Sequence, residues 1–230
     1  MEILGLIPAR YDSSRFPGKP LADINGKSMI RCVYEQAFKA RYLAGLYVVT
    51  DDKRIEKHVE ESGGRAIMTS PEHLSGTDRC AEAAKLIEGK WDAIINIQGD
   101  EPFIDPQQID QVAKLLGEEG VEIATLAKEI TDERELDDPN VVKVVLDKHN
   151  HALNFRRSPI AEGKKHIGIY GYQAQVLQDI TKLPQSEGEK TERLEQLRWL
   201  ENCYQVRVGI TTLESDSVDT PEDLQRLLNR

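Results

Sequence analysis

Cysteine is scarce in this chain: Cys32, Cys80 and Cys203 stand far apart in 230 residues. They form neither a CxxC pair of the kind that holds zinc nor an even-numbered disulfide framework, so the sequence reads as one from a reducing cytoplasm. Long apolar runs are missing as well, and no stretch approaches the roughly 20 residues a membrane helix needs. The opening MEILGLIPAR has an acid where a signal peptide has bases, and no small-residue cleavage site. Membrane insertion and secretion are therefore not expected. Positive charge is in deficit: 30 Lys and Arg against 40 Asp and Glu leave a net charge of −10. That balance argues against a nucleic-acid backbone as partner, and a small anion would have to be met by cations gathered locally. What is present, 39% hydrophobic residues, suffices for one substantial core, so a single domain over 1–230 is expected.

The first half alternates strand and helix signals. Ile3–Ile7 is a short apolar run closed by Pro8, as in a buried parallel strand. Ser28 can cap a helix with Met29, Ile30, Val33, Tyr34 and Ala37 on one face. Leu46–Thr50 reads as a strand, Ile55 and Val59 as the face of a helix that Gly63 and Gly64 stop, and Ala66–Met68 and Ala93–Ile97 as further strands. This βα alternation predicts an α/β fold with a mostly parallel, doubly wound sheet, whose ligands bind beyond the carboxyl ends of the strands. The second half is more mixed. Strands are expected at 123–128, 141–146, 152–155, 167–172 and 206–211, a turn at Asp147–Asn150, one amphipathic helix at Glu189–Glu201, and a capped last helix after Thr220-Pro221. It reads as a smaller mixed α+β lobe on the same sheet, with a nucleotide part over about 1–120, a second part over about 121–215, and a closing loop and helix at 216–230.

The loop after the first strand carries the strongest chemical signal. Pro8 to Pro20 holds Arg10, Arg15 and Lys19 with Gly18 and three prolines. A triphosphate site asks for a stiff path, a glycine for close backbone approach, and cations aimed at phosphate oxygens. The alternative is a solvated basic surface loop. The Walker spacing is absent. Asn96-Ile97-Gln98-Gly99-Asp100-Glu101 follows an apolar strand, which would put Asp100 at the ligand end of the sheet, where magnesium takes one or two carboxylates plus phosphate oxygens and waters. In isolation Asp100 reads as a turn aspartate. Ser75-Gly76-Thr77-Asp78-Arg79 is a helix entry able to hold a polar ligand, and Asp219, just before the last helix, is a second candidate metal ligand; both motifs also suit plain helix caps.

These stretches together resemble one family, the 3-deoxy-manno-octulosonate (Kdo) cytidylyltransferases, or CMP-Kdo synthetases. IPARYDSSRFPGKPL, INGKSMI, VVTDD, MTSPEHLSGTDR, INIQGDEP, NVVKVVLD, KHIGIYGY, LEQLRWLE and VDTPEDL occur in family order over nearly the whole chain. The resemblance implies the Rossmann-like nucleotide-diphospho-sugar transferase fold, a homodimer, a place in lipopolysaccharide biosynthesis, and transfer of CMP from CTP to Kdo with magnesium. By the same resemblance Arg10, Arg15 and Lys19 lie along the triphosphate, these three and Asp100 act in catalysis, and Asp100 and Asp219 hold magnesium. Ser75 and Gly76 are similar to residues near the cytosine. Arg79, Gln98, Arg157, His166, Tyr170, Glu195 and Gln196 match sugar-contacting positions. Residue patterning alone would make His166 a structural histidine and Glu195 a solvated helix residue.

The match departs from the family pattern in two places. Asn154-Phe155-Arg156-Arg157 stands where the family has Tyr-Phe-Ser-Arg, and only Ala161–Lys165 separates the following Ile160 from His166, in place of a long segment. Glu187-Gly188 replaces a Pro-Leu. The short connection predicts a more open sugar site or an altered dimer contact. It admits an 8-amino-Kdo analogue as substrate, and a member of reduced activity. The rival readings are another sugar cytidylyltransferase, such as a CMP-sialic acid synthetase, and a nucleotide-binding protein without turnover.

Overall fold

The computed structural model describes residues 1–13, 15–160, 162–214 and 216–229; Ser14 of the first loop and Ala161 of the short connection lie outside the described residues. The first half runs β1 (Ile3–Ala9), β2 (Asp23–Ile24), β3 (Lys27–Ser28), α1 (Met29–Ala37), β4 (Leu43–Thr50), α2 (Lys53–Glu61), β5 (Ala66–Met68), α3 (Gly76–Leu86), β6 (Ala93–Asn96) and α4 (Pro106–Leu116). The second half adds β7 (Ile123–Lys128), α5 (Arg134–Asp137), β8 (Lys143–Leu146), β9 (Ala152–Arg156), β10 (Lys164–Gln173), α6 (Ala174–Ile180), α7 (Glu187–Glu192), α8 (Gln196–Glu201), β11 (Val206–Thr211) and α9 (Pro221–Leu228).

Nine strands form one sheet, in the order β11-β7-β10-β6-β1-β4-β5, with the β8–β9 hairpin attached to β10. β1 pairs in parallel with β4 and β6, β4 with β5, and β7 with β11, while β10 runs antiparallel between β6 and β7. The expected α/β class and mostly parallel sheet are therefore present, and the strands of the second half extend the sheet. Period-2 alternation sends Ile3 and Ile7 into the core under α1, α2 and α4, and Leu4 and Leu6 into the core under α3, α6 and α8. Both faces are covered, which is why β1 and β6 are apolar almost throughout.

Helix starts follow the sequence signals. Ser28, Asp52, Ser75, Asp105 and Thr220 each accept a first-turn N–H, and Asp105–Gln108 and Thr220–Asp223 close capping boxes. The expected single helix over Glu189–Glu201 is instead two, α7 and α8, broken where Arg193 adopts φ 56, ψ 43. Burial explains the break. Glu189, Gln196 and Arg198 are all buried, and a straight helix could not turn these groups and Leu194, Leu197 and Trp199 inward together. The strand expected at 167–172 is longer, Lys164–Gln173, and its register shifts between Ile167 and Tyr170. No helix of the described residues is long and apolar enough to cross a membrane.

Candidate active site

Three loops meet beyond the carboxyl ends of β1 and β6. The first leaves β1 and turns back at Gly18, whose N–H donates to the Tyr11 carbonyl at 2.8 Å. Gly18 sits at φ +72, where a side chain would be strained, and delivers the chain into a single 3-10 turn at Lys19–Leu21. The second loop, 98–101, continues β6. At Gly99 a Cβ would stand 2.5 Å from the Pro8 carbonyl oxygen, so only glycine lets this loop lie against the first. The third comes from the far end of the chain. Val218 is buried with Ile24, Met29 and Leu224, and its N–H donates to the Asp100 carbonyl at 2.9 Å.

These contacts bring charged groups that are far apart in sequence to one point. Lys19 Nζ lies 2.8 Å from Asp100 Oδ2 and 3.5 Å from Asp219 Oδ1, and Arg15 Nη2 is 3.0 Å from the same Asp219 oxygen. Arg10 is exposed at the start of the loop. Two carboxylates thus converge on a single cation, and Arg15 pairs with one of them. Carboxylate oxygens brought to one place could hold a hard divalent cation. An all-protein cage is not what such an ion needs, and no group of three or more His, Cys, Asp or Glu able to hold a metal occurs among the described residues.

Beside this cluster opens a cavity of about 570 Å³. Its lining includes Gln98, Asp100, Arg157, His166, Tyr170, Glu195, Gln196 and Asp219, eight of the residues singled out from the sequence. Arg157 is anchored from its backbone, whose N–H donates to Glu192 at 3.0 Å, while its Nη1 donates to the Pro139 carbonyl at 3.3 Å. His166 packs edge-on to Phe155, with ring centroids 5.2 Å apart, and lies 5.3 Å from Tyr170. Burial pushes its pKa from 6.5 down to about 3. The Thr125 hydroxyl lies 2.7 Å from the Ile169 carbonyl and 3.0 Å from His166 Nε2. With its one proton given to that carbonyl, the hydroxyl must accept from Nε2–H, which leaves Nδ1 unprotonated as an acceptor.

Tyr170 accepts a short hydrogen bond from Gln196 Nε2, and burial raises its phenol well above the usual range, so it stays a neutral donor. Glu195 is the junction between the cavity and the start of α3. Its carboxylate accepts from Thr77 Oγ1 at 2.6 Å and Ser75 Oγ at 3.1 Å, and pairs with Arg198 Nη2 at 2.7 Å. Burial holds its pKa up, against the pull of Thr77 and Arg198.

Ser75 and Gly76 open α3, with the Ser75 hydroxyl 2.8 Å from Asp78 Oδ2 as well as near Glu195. Arg79 does not reach the cavity. It is fully buried, donating to Thr69 Oγ1 and Asp51 Oδ2, both at 2.6 Å, and so ties α3 to the ends of β4 and β5. Sequence reasoning passed over Asn140, Lys165, Arg193 and Arg226, which also line the cavity. Isolated polar residues on hairpins and helices carry no local signal; only the strand order places them there. Lys165 is already shared between Glu135 at 3.0 Å and Glu214 at 2.9 Å, and Arg226 is paired with Asp223 at 2.6 Å.

The chain's similarities to known proteins agree with this arrangement. A family described as cytidylyltransferase matches residues 4–206. A 3-deoxy-manno-octulosonate cytidylyltransferase of Parabacteroides distasonis is 51% identical, with 99% of this chain and 97% of that protein aligned. An 8-amino-3,8-dideoxy-manno-octulosonate cytidylyltransferase of Shewanella frigidimarina is 48% identical, over 98% of this chain and 97% of its own. Among solved structures, a CMP:2-keto-3-deoxy-manno-octonic acid synthetase complexed with CTP superposes with a TM-score of 0.94 at 40% identity, covering 100% of this chain and 98% of that one. The Parabacteroides alignment runs over 246 positions against 230 residues here, so at least the difference, 16 positions, has no counterpart in this chain.

Proposed function

This chain belongs to the cytidylyltransferase family, and on that premise we propose that it transfers CMP from CTP to the anomeric hydroxyl of Kdo, forming CMP-Kdo and pyrophosphate. The observation that carries the reading is the junction itself. The Lys19–Asp100–Asp219 cluster opens directly into the cavity that Arg157, His166, Tyr170 and Gln196 share, so a triphosphate and a sugar acid can meet at Asp100.

Both reactants are anions, and holding them together is the principal task. The anomeric oxygen forms a bond to the α-phosphorus, the bond from that phosphorus to the pyrophosphate oxygen breaks, and the hydroxyl proton is released. Lys19, Arg15 and Arg10 supply fixed positive charge along the leaving pyrophosphate. In the free protein Lys19 and Arg15 neutralise Asp100 and Asp219; when phosphates draw these cations away, the two carboxylates are freed for a divalent ion. Asp100 and Asp219 would hold magnesium, which as a Lewis acid offsets phosphate charge and lowers the pKa of the attacking hydroxyl. Arg157 is the cation placed for the sugar carboxylate. Neutral His166 offers Nδ1 to a sugar hydroxyl, and Tyr170 offers its O–H. Ser75 and Gly76, at the start of α3, lie toward the cytosine.

The 8-amino analogue is the second reading, favoured by the 48% identity to proteins named for it. Homodimer formation, a cytoplasmic location and service to lipopolysaccharide assembly belong to the same proposal. Pyrophosphate release across a panel of nucleotides and acceptors tests it. CTP with Kdo and magnesium should give the fastest release. Faster release with 8-amino-Kdo selects the second reading, and release with a sialic acid alone overturns both.

A further inference from the structure

The phosphate loop is clamped from outside by a residue that the reaction has not yet used. Arg54, in the first turn of α2, lays its guanidinium carbon 3.3 Å from the centroid of the Tyr11 ring. Its orientation is fixed from the other side by Asp52, which accepts from Arg54 Nε at 2.9 Å and Nη2 at 2.5 Å. Those same bonds hold the Asp52 carboxyl below its usual range. Asp52 in turn caps α2 two residues after the end of β4, so the fork is mounted on a helix start close to the sheet.

Tyr11 passes the constraint inward. Its carbonyl accepts the Gly18 N–H at 2.8 Å, and its ring lies so close that a Cβ on Gly18 would stand 3.2 Å from Tyr11 Cζ. Gly18 is followed at once by Lys19, whose Nζ sits between Asp100 and Asp219. We propose that Arg54 is a positioning residue for Lys19, acting through the Tyr11 ring: Asp52 aims Arg54, Arg54 holds Tyr11, and Tyr11 fixes the turn at Gly18.

The chemistry gives this clamp a task. Lys19 must exchange carboxylate partners for phosphate oxygens, so its side chain moves while its backbone has to stay. Phe16 to Leu21 closes with short local bonds, but the stretch from Tyr11 to Ser13 has no regular structure of its own. A planar cation on the ring face restrains that stretch without filling the space the triphosphate needs. Arg54 is not part of the cavity lining and touches none of the sugar-side groups. A bare surface pair between Asp52 and Arg54 would be energetically minor; the ring contact is what couples it to the loop.

The inference rests on the proposed function, and the test separates the two. Arg54→Ala should lower kcat/KM for CTP by about two- to fivefold, the scale of one exposed cation–π contact. The KM for the sugar acid at saturating CTP should not move. Arg54→Lys keeps the charge but not the planar fork and should not restore the loss. Tyr11→Phe keeps the ring and should behave as the parent, whereas in a Tyr11→Leu background Arg54→Ala should cost nothing further. Without any nucleotide, amide hydrogen exchange at Gly18 and Lys19 should quicken in Arg54→Ala. Equal losses in both backgrounds, or unchanged exchange, would overturn the clamp. No CTP turnover by the unmodified protein would strike the proposed function instead, and the exchange measurement would still read the clamp.

Discussion

Acidification should destabilise this protein through His166, and the size of the effect follows from its surroundings. Phe155, Tyr170 and the Thr125 hydroxyl enclose the ring, and burial lowers its pKa to about 3. In the unfolded chain the ring titrates near 6.5. Between those values the unfolded state binds a proton that the folded state refuses, so stability rises with pH. The His166 contribution is complete above about pH 6.5 and is lost as the pH falls toward 3. From pH 7 to pH 5 the loss is about 1.5 pH units at 1.36 kcal/mol each, or about 2 kcal/mol. Solvent on the cavity side trims that to about 1–2 kcal/mol. Urea unfolding of the parent and of His166→Gln at pH 7 and pH 5 isolates the term, because the other histidines cancel in the difference. The parent should lose about 1–2 kcal/mol more than the variant on going to pH 5. Equal losses would refute the neutral ring.

Other outcomes follow from the charged cluster and the short connection. Lys19→Ala should slow pyrophosphate release by about 10²–10³, the usual scale for one preorganised charge-stabilising group, and should weaken CTP binding in calorimetry; parent-like turnover at low CTP would return Lys19 to the surface. Asp100→Asn and Asp219→Asn should each remove most magnesium-dependent turnover while circular dichroism stays that of the parent, and near-normal rates in both would sink the metal assignment. The family resemblance puts the missing segment at Ala161–Lys165; on that reading CTP–magnesium binding should be ordinary while the KM for Kdo is raised about ten- to a hundredfold, a few closing contacts at about 1 kcal/mol each. Grafting a family-length segment should lower that KM, and indifference to the graft would make the segment dispensable.

The parts of the fold readable from the chain are those where a local pattern and burial agree. Ile3–Ile7 and Ala93–Ile97 are apolar because both sheet faces are covered, and Ser28, Ser75 and Thr220 announce helices because a first-turn N–H needs an acceptor. In a linear pattern the charges of Glu189–Glu201 look solvated. Only in three dimensions do Arg198 and Glu189 pair at 3.3 Å and Glu195 turn toward Ser75 and Thr77. The site is similar. Arg15, Lys19, Asp100 and Asp219 could be picked out by composition and element ends, but the buried valine that joins Asp219 to the others lies 118 positions after Asp100, a contact no local signal encodes. Arg54 is hidden for the same reason, since nothing in its helical setting points to Tyr11.

The most direct test of the account is a phosphorus NMR spectrum of the protein with CTP, Kdo and magnesium. The triphosphate resonances should disappear with equal appearance of pyrophosphate and one new phosphodiester signal, that of the CMP–sugar bond. Unchanged CTP, or release of pyrophosphate with free CMP and no phosphodiester, would contradict it.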